Sequence, residues 1–115
     1  MLYVDFKAGD KEYKLRLCTR DVITLEKNIG MNPLSIFGDG RTIPSVTVMI
    51  AILHASLQKF HHGISMTDAY DIFDDYLADG HSMTDFISVI VEIYKVSGLI
   101  ADDNKESEVE NSEKN

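Results

Sequence analysis

The chain lacks the features typical of a small secreted protein, which are several cysteines for disulfide bonds and an N-terminal signal peptide. It contains one cysteine, Cys18, two prolines and no tryptophan among 115 residues. A single cysteine excludes an intrachain disulfide framework and is typical of a reducing compartment. The N-terminal segment has no basic stretch followed by an apolar one, so we expect no signal peptide. These absences predict a cytoplasmic protein.

Positive charge is also scarce, because 11 Lys and Arg residues face 19 Asp and Glu residues and the net charge is −8. Nucleic acids and anionic membrane surfaces are bound through basic patches. The charge balance therefore argues against both as partners. No run of about 20 apolar residues, the length a membrane-spanning helix needs, is present. With 44% hydrophobic residues, the chain can form one small domain with one core.

Motifs for catalysis and for metal or cofactor binding are missing too. The acidic stretch Asp71–Gly80 lacks calcium-loop spacing, because the third position counted from Asp75 is Leu77. The four histidines occur without an HExxH or CxxC motif. No nucleophile motif surrounds Cys18, and the segment 38–42 (GDGRT) lacks the lysine of a P-loop. We therefore expect a protein that is not an enzyme and that holds no cofactor or metal.

One apolar segment, Pro44–Phe60, is the part around which the rest of the chain is organised. Between Val46 and Leu57 apolar residues fall on nearly every side of a helix. A helix of this kind is normally buried all round. Proline suits its first position, where a backbone N–H would be unpaired in any case. The segment predicts a central core helix over about 44–60.

Two alternating segments precede this helix. Residues 2–7 and 12–18 alternate apolar and polar side chains, which is the period of a strand. Gly9 and Asp10 between them suit a tight turn. The pattern predicts a hairpin over 2–18. Two strands alone are marginal in water, so its apolar face must pack on helices.

Capping residues and helical spacing predict further helices. Thr19 is the expected N-cap of the first, and Gly30 is placed to end it. Ser82 and Asp85 have the spacing of a capping box before the last helix, which is apolar on most sides. The three predicted helices cover about 20–29, 67–79 and 83–97.

Together these elements predict an α+β, mainly α fold. The N-terminal hairpin packs on a bundle of about four helices, in a single globular domain over residues 1–100. Residues 101–115 contain one valine and no aromatic residue, which predicts a disordered acidic tail. Two helices that are apolar on most sides exceed what one small core needs. We expect the surplus face to be covered by a core neighbour, by self-contact or by a partner.

The helix over 67–79 carries a polar face of aspartates. The simplest interpretation is a solvated surface, and a second is steering of a basic partner segment, because clustered charge raises association rates. Binding that proved insensitive to salt would contradict this second interpretation. The aspartates of this polar face are Asp68, Asp71, Asp74, Asp75 and Asp79.

The order of these segments, over about residues 1–100, is similar to that of a known protein family. The similarity lies in Tyr13–Arg20, Leu25–Gly30 and Asn32–Leu34, followed by the proline-opened apolar helix of 44–60 and the helices of 67–98. This layout resembles the tail assembly chaperones of long-tailed phages and prophages. It rests on the overall pattern, since that family is defined by binding and has no catalytic motif to compare.

The resemblance implies a non-enzymatic assembly factor that binds the long, helical tape measure protein and helps recruit tail tube subunits. Such chaperones act in the cytoplasm of the bacterial host and are absent from the mature virion. Many also occur in a longer, frameshifted form, through which we expect the tail tube contact. The residues Glu113-Lys114-Asn115 can be encoded by a slippery sequence. Self-association along the partner is a further expectation.

We place the tape measure contact on the last two helices, because an elongated helical partner requires apolar surface there. The candidate contact residues are Phe86, Ile90, Tyr94 and Tyr76. Two alternatives stay open. Another phage morphogenesis or head–tail joining factor would remain in the mature virion, and a small acidic regulator would bind a basic, nucleic-acid-binding protein.

Overall fold

A computed structural model describes residues 2–102 and opens with an antiparallel hairpin. Its strands are β1 (Val4–Ala8) and β2 (Lys11–Leu15). Ala8 pairs with Lys11, so only Gly9 and Asp10 form the turn. Gly9 adopts φ +66°, a conformation that costs glycine little and that suits the first central position of such turns. The predicted hairpin is confirmed, with strands shorter than the alternating segments.

Helices make up most of the remaining chain, and the predicted α+β, mainly α fold is confirmed. All four predicted helices are present, with ends that differ from the prediction by at most three residues. A short 3₁₀ helix (Pro33–Ser35) lies between the first two. The helices are α1 (Thr19–Ile29), α2 (Val46–Leu57), α3 (Met66–Ala78) and α4 (Asp85–Val96).

The helix starts follow the capping hydrogen bonds. Ser45 Oγ accepts from Val48 N–H at 3.2 Å, so α2 begins after Ser45 and Pro44 stays outside the helix. The N-cap of α1 is Cys18 rather than Thr19. Asp21 Oδ2 accepts from the Cys18 N–H at 3.0 Å, which satisfies that donor through the third residue of the helix.

Reciprocal serine–aspartate hydrogen bonds also precede α3 and α4, although the N-cap residue of α4 is Thr84, whose side chain makes no capping bond. Ser65 Oγ accepts from Asp68 N–H, and Asp68 Oδ2 accepts in return from Ser65 N–H, each at 3.0 Å. The hydrogen bond from the Ser65 backbone N–H, and then the Ser65 side chain, lower the pKa of the Asp68 carboxyl, because they favour its charged form. Ser82 and Asp85 make the same reciprocal pair at 2.8 and 3.2 Å before α4.

The centre of the core is α2, as predicted. From Met49 to Leu57 every residue except the half-buried His54 is buried. This helix contacts α1, α3, α4 and β2, so it has neighbours on all sides. The apolar face of the hairpin closes the core with the buried Phe6 and Leu15. Burial on every side explains why α2 needs no polar face.

The two residues after β2 join the hairpin to the helices. Arg16 N–H donates to Ser56 O at 2.9 Å, and its guanidinium Nη1 donates to Val96 O at 2.8 Å. Leu17 N–H donates to Ser97 Oγ at 2.9 Å. Because Val96 is the last residue of α4, the guanidinium also compensates the negative end of that helix. One short segment therefore fastens β2 to α2 and α4.

The hairpin and the helices share one cluster of buried apolar residues, drawn from both strands and from all four α-helices. Within residues 2–102, no helix is long and apolar enough to cross a membrane. The predicted disordered tail over 101–115 lies, apart from its first two residues, outside the described part of the chain.

Candidate binding groove

The four predicted contact residues lie in the core. Phe86 and Ile90 have no exposed surface, and Tyr94 and Tyr76 are 1% and 4% exposed. A contact surface must be accessible, so none of the four can contact a partner in this conformation. The prediction that they form the docking face is corrected on this ground. An almost wholly apolar pattern indicates burial but does not say which neighbour provides it, and here α2 and β1 cover α4.

Three of these four side chains have clear structural roles. The ring of Phe86 packs edge-on to Phe73 with 5.2 Å between centroids, and Tyr76 lies 5.0 Å from Phe6. Tyr94 Oη donates to Pro33 O at 2.8 Å and so ties α4 to the 3₁₀ helix. Burial raises the pKa of the Tyr94 hydroxyl far above its usual range. The aromatic residues therefore hold the hairpin, α3 and α4 together.

Accessible apolar surface occurs instead in a groove between α2 and α3, which we call the α2–α3 groove. Its volume is about 340 Å³. The wall from α3 is mostly apolar, the wall from α2 contains one polar residue, and α1 contributes Asn28. The lining residues are Asn28, Val46, Thr47, Ile50, Ala51, Met66, Tyr70, Phe73, Asp74, Leu77 and Met83.

Three large side chains in this groove are well exposed. Tyr70 is 52% exposed, and Val46 and Met83 are each 42% exposed. The sequence prediction placed the contact on α3 as well as on α4, but it chose Tyr76 from the apolar stripe of α3 that faces the core, and so it missed the groove. A signal was present: Met66, Tyr70 and Leu77 continue at helical spacing beside the buried stripe. Tyr70 in particular stands outside that stripe, among aspartates.

The aspartates of α3 divide into two groups. Asp68 caps the helix, and Asp79 Oδ2 accepts from Gly9 N–H at 2.8 Å, which fastens the hairpin turn. Asp71, Asp74 and Asp75 make no side-chain hydrogen bond or ion pair within the described residues, and Asp75 lies near Gly9 of the hairpin turn. Asp74 lines the groove, and Asp71 lies one turn before it on the exposed side. The surface beside the groove therefore carries two uncompensated carboxylates.

A second depression, of about 820 Å³, is polar and lies between the start of α1 and the end of α2. It brings Cys18, Asp21 and His54 to one place, the residue types of a thiol hydrolase. In the part of the chain that the structure describes, neither Asp21 nor Cys18 hydrogen-bonds to His54, and His54 Nδ1 has no partner. The arrangement thus lacks the relay that activates a nucleophile.

The histidines do not form a metal site in the described structure. His61 lies beyond the end of α2, so it does not share a helix face with His54. His61 Nε2 accepts from Lys14 N–H at 2.9 Å. Burial, and then the charge of Lys14, lower the pKa of the His61 ring. Among residues 2–102 no group of three His, Cys, Asp or Glu side chains is placed to hold a metal.

Fold and groove together define a small α+β domain with an uncovered apolar surface. Residues 4–115 match the model of a family described as a family of unknown function, DUF6096, and the chain belongs to that family. No curated protein and no solved structure matches the chain.

Proposed function

We propose that this protein is a non-enzymatic tail assembly chaperone of a long-tailed phage or prophage. It binds the tape measure protein and helps recruit tail tube subunits. The observation that best supports the proposal is the α2–α3 groove, where three large apolar side chains stay exposed beside unpaired carboxylates. Exposed apolar surface of this kind marks sites of protein interaction. The resemblance of residues 1–100 to tail assembly chaperones supplies the identity of the partner.

In this proposal the groove works by covering apolar surface on the partner before the tail is built. The tape measure protein is long and helical, so many such domains occupy it at once, and neighbouring copies can associate along it. The chaperone acts in the cytoplasm of the bacterial host and leaves before the virion is complete. The tail tube subunits contact a longer, frameshifted form of the chain.

Co-expression with the tape measure protein of the same phage or prophage tests the proposal. We expect the partner to stay soluble and to co-purify with the chain. Tyr70→Glu and Val46→Glu place a charge in the groove and should abolish co-purification. Ile23→Glu is the matched control, because Ile23 is also an exposed helical residue, 48% accessible, and does not line the groove.

Mass spectrometry of purified virions provides the second arm. The chaperone proposal requires the chain to be present in the infected cell and absent from the finished particle. Recovery of the chain from mature virions would favour a head–tail joining role and overturn the proposal. Undiminished co-purification by both groove variants would remove its structural basis.

A further inference from the structure

The geometry points to one class of ligand for the α2–α3 groove: an amphipathic α-helix with an apolar stripe of about three turns and lysine or arginine along one flank. This inference rests on the proposed function only in taking the groove as the binding face. It specifies the partner segment by its chemistry, and it holds for any protein that presents such a helix.

The shape of the groove sets the length of the ligand. Along α3 the lining runs from Met66 to Leu77, eleven residue steps, which at about 1.5 Å each span about 17 Å. Along α2 it includes Val46 and Ile50, one turn apart. The groove is therefore elongated between two helices, and a ligand helix lying along it would place residues i, i+3 or i+4, i+7 and i+11 in it.

The walls favour a helix over an extended peptide. Both walls are helices, α2 and α3, whose backbone N–H and C=O groups are paired internally except at their ends. An extended peptide would find no strand edge to pair with, and its own backbone groups would be buried unpaired at a cost. A helical ligand satisfies its backbone internally and needs only apolar contact with the accessible side chains of Val46, Tyr70 and Leu77.

Charge sets the flank of the ligand. Among the residues that the structure describes, Asp74 is the only charged one that lines the groove, and Asp71 lies one turn away on the same side of α3. Neither carboxylate is paired within residues 2–102, whereas Asp68 and Asp79 are occupied by hydrogen bonds. The α2 side of the groove carries no charge. A cationic flank on the ligand therefore belongs over α3, and an acidic flank there would be repelled.

Synthetic helices test this inference without any natural partner. One peptide carries leucine at i, i+4, i+7 and i+11, which covers about three turns, with lysine on one flank. The matched peptide replaces each lysine with glutamate. In titrations of the ¹⁵N-labelled protein, we expect the lysine peptide to shift amide signals of the groove. We expect the glutamate peptide to bind at least about tenfold more weakly.

Salt and substitution separate the two parts of the interaction. Raising the ionic strength from about 0.1 to 1 M shortens the Debye length from about 10 to 3 Å. The affinity of the protein for the lysine peptide should therefore fall several-fold. Asp74→Asn should weaken it as well. Asp5→Asn is the control, because it removes the same charge from an exposed position on β1. Tyr70→Glu should abolish binding of the lysine peptide.

Three results would overturn the inference: equal binding of the two peptides, shifts confined to residues outside the groove, or groove signals that move with protein concentration alone. The last result would identify a second copy of the chain as the occupant. Failure of the proposed function is distinguishable. If the lysine peptide binds the groove but the tape measure protein does not co-purify, the ligand class stands and the chaperone proposal fails.

Discussion

The hydrogen bond between Tyr94 and Pro33 gives the sharpest test of how this domain is held together. Tyr94 is 1% exposed, and its hydroxyl donates to Pro33 O at 2.8 Å across 61 residues of sequence. Tyr94→Phe removes one oxygen atom and leaves the ring in place. The change therefore isolates the tie between α4 and the 3₁₀ helix from the packing of the aromatic ring.

The expected loss follows from burial of both partners. Pro33 is also buried, so its carbonyl cannot exchange the tyrosine hydroxyl for bulk water. Leaving a buried acceptor unpaired costs about 1–3 kcal/mol. For a domain of this size, each kcal/mol corresponds to about 4–8 °C in the melting temperature. We expect Tyr94→Phe to lower the free energy of unfolding by about 1–3 kcal/mol.

Urea unfolding followed by circular dichroism measures this loss. The matched control is Tyr70→Phe, because Tyr70 is 52% exposed and has no hydrogen bond within the described residues. Its stability should stay within about 0.5 kcal/mol of the parent. If the slope of the unfolding free energy against urea concentration (the m value) is the same in both variants as in the parent, the substitutions have not altered the denatured state. Equal stability of Tyr94→Phe and Tyr70→Phe would refute the reasoning from burial.

Alkaline titration checks the same hydroxyl independently. Burial raises the pKa of Tyr94 in the folded state above its usual value near 10, so the unfolded chain releases its proton first. The corresponding stability is complete below about pH 10 and is lost as the pH rises further. Tyr94→Phe should reduce this loss. Part of it should remain, because burial and then Asp85 also raise the pKa of Tyr76.

Other positions give related predictions. Burial and then the charge of Lys14 lower the pKa of His61, so on acidification the unfolded chain binds a proton first, and the free energy of unfolding should fall as the pH drops below about 6.5. In urea unfolding at several pH values, His61→Gln should show a smaller fall than the parent protein, and the control His62→Gln should show the same fall as the parent. Arg16→Gln, which loses charged hydrogen bonds at 2.8 and 3.0 Å, should cost about 1.5–3 kcal/mol and speed amide exchange at the end of α4, whereas the exposed Arg20→Gln should do neither. Ile90→Ala should lower the free energy of unfolding by about 2–5 kcal/mol, and a loss below about 1 kcal/mol would contradict its placement in the core.

The elements of the fold could be predicted because local chemistry determines them. Alternation gave the hairpin, and Gly9 and Asp10 gave its turn. Ser82 followed three residues later by Asp85 predicted the reciprocal hydrogen bonds that precede α4. Helix ends were less predictable. Pro44 suits a first helical position, but the side chain of Ser45 captures an amide of α2 and starts the helix later.

The placement of accessible surface could not be predicted, because it depends on which elements become neighbours. The spacing of Phe86, Ile90 and Tyr94 indicates an apolar helix face that must be buried. In the fold this face of α4 is buried against α2 and β1. Tyr70 has the pattern of a surface residue, yet it lines the largely apolar groove. Periodicity separates buried from exposed faces within one helix, and it does not show where two helices leave a gap between them.

The guanidinium of Arg16 also brings Leu2, at the start of the described chain, close to Val96 at the end of α4. Its Nη1 donates to Leu2 O at 3.0 Å and to Val96 O at 2.8 Å. The distance between these two carbonyl oxygens therefore cannot exceed the sum of the two hydrogen-bond lengths. Positions this close can be joined by a short linker, and new ends can be opened elsewhere. A circular permutant opened in the exposed loop 38–43 should fold and still bind the lysine peptide. A permutant that fails to fold would contradict this adjacency. It also follows that a tag added before Leu2 would begin beside the C-terminal end of α4.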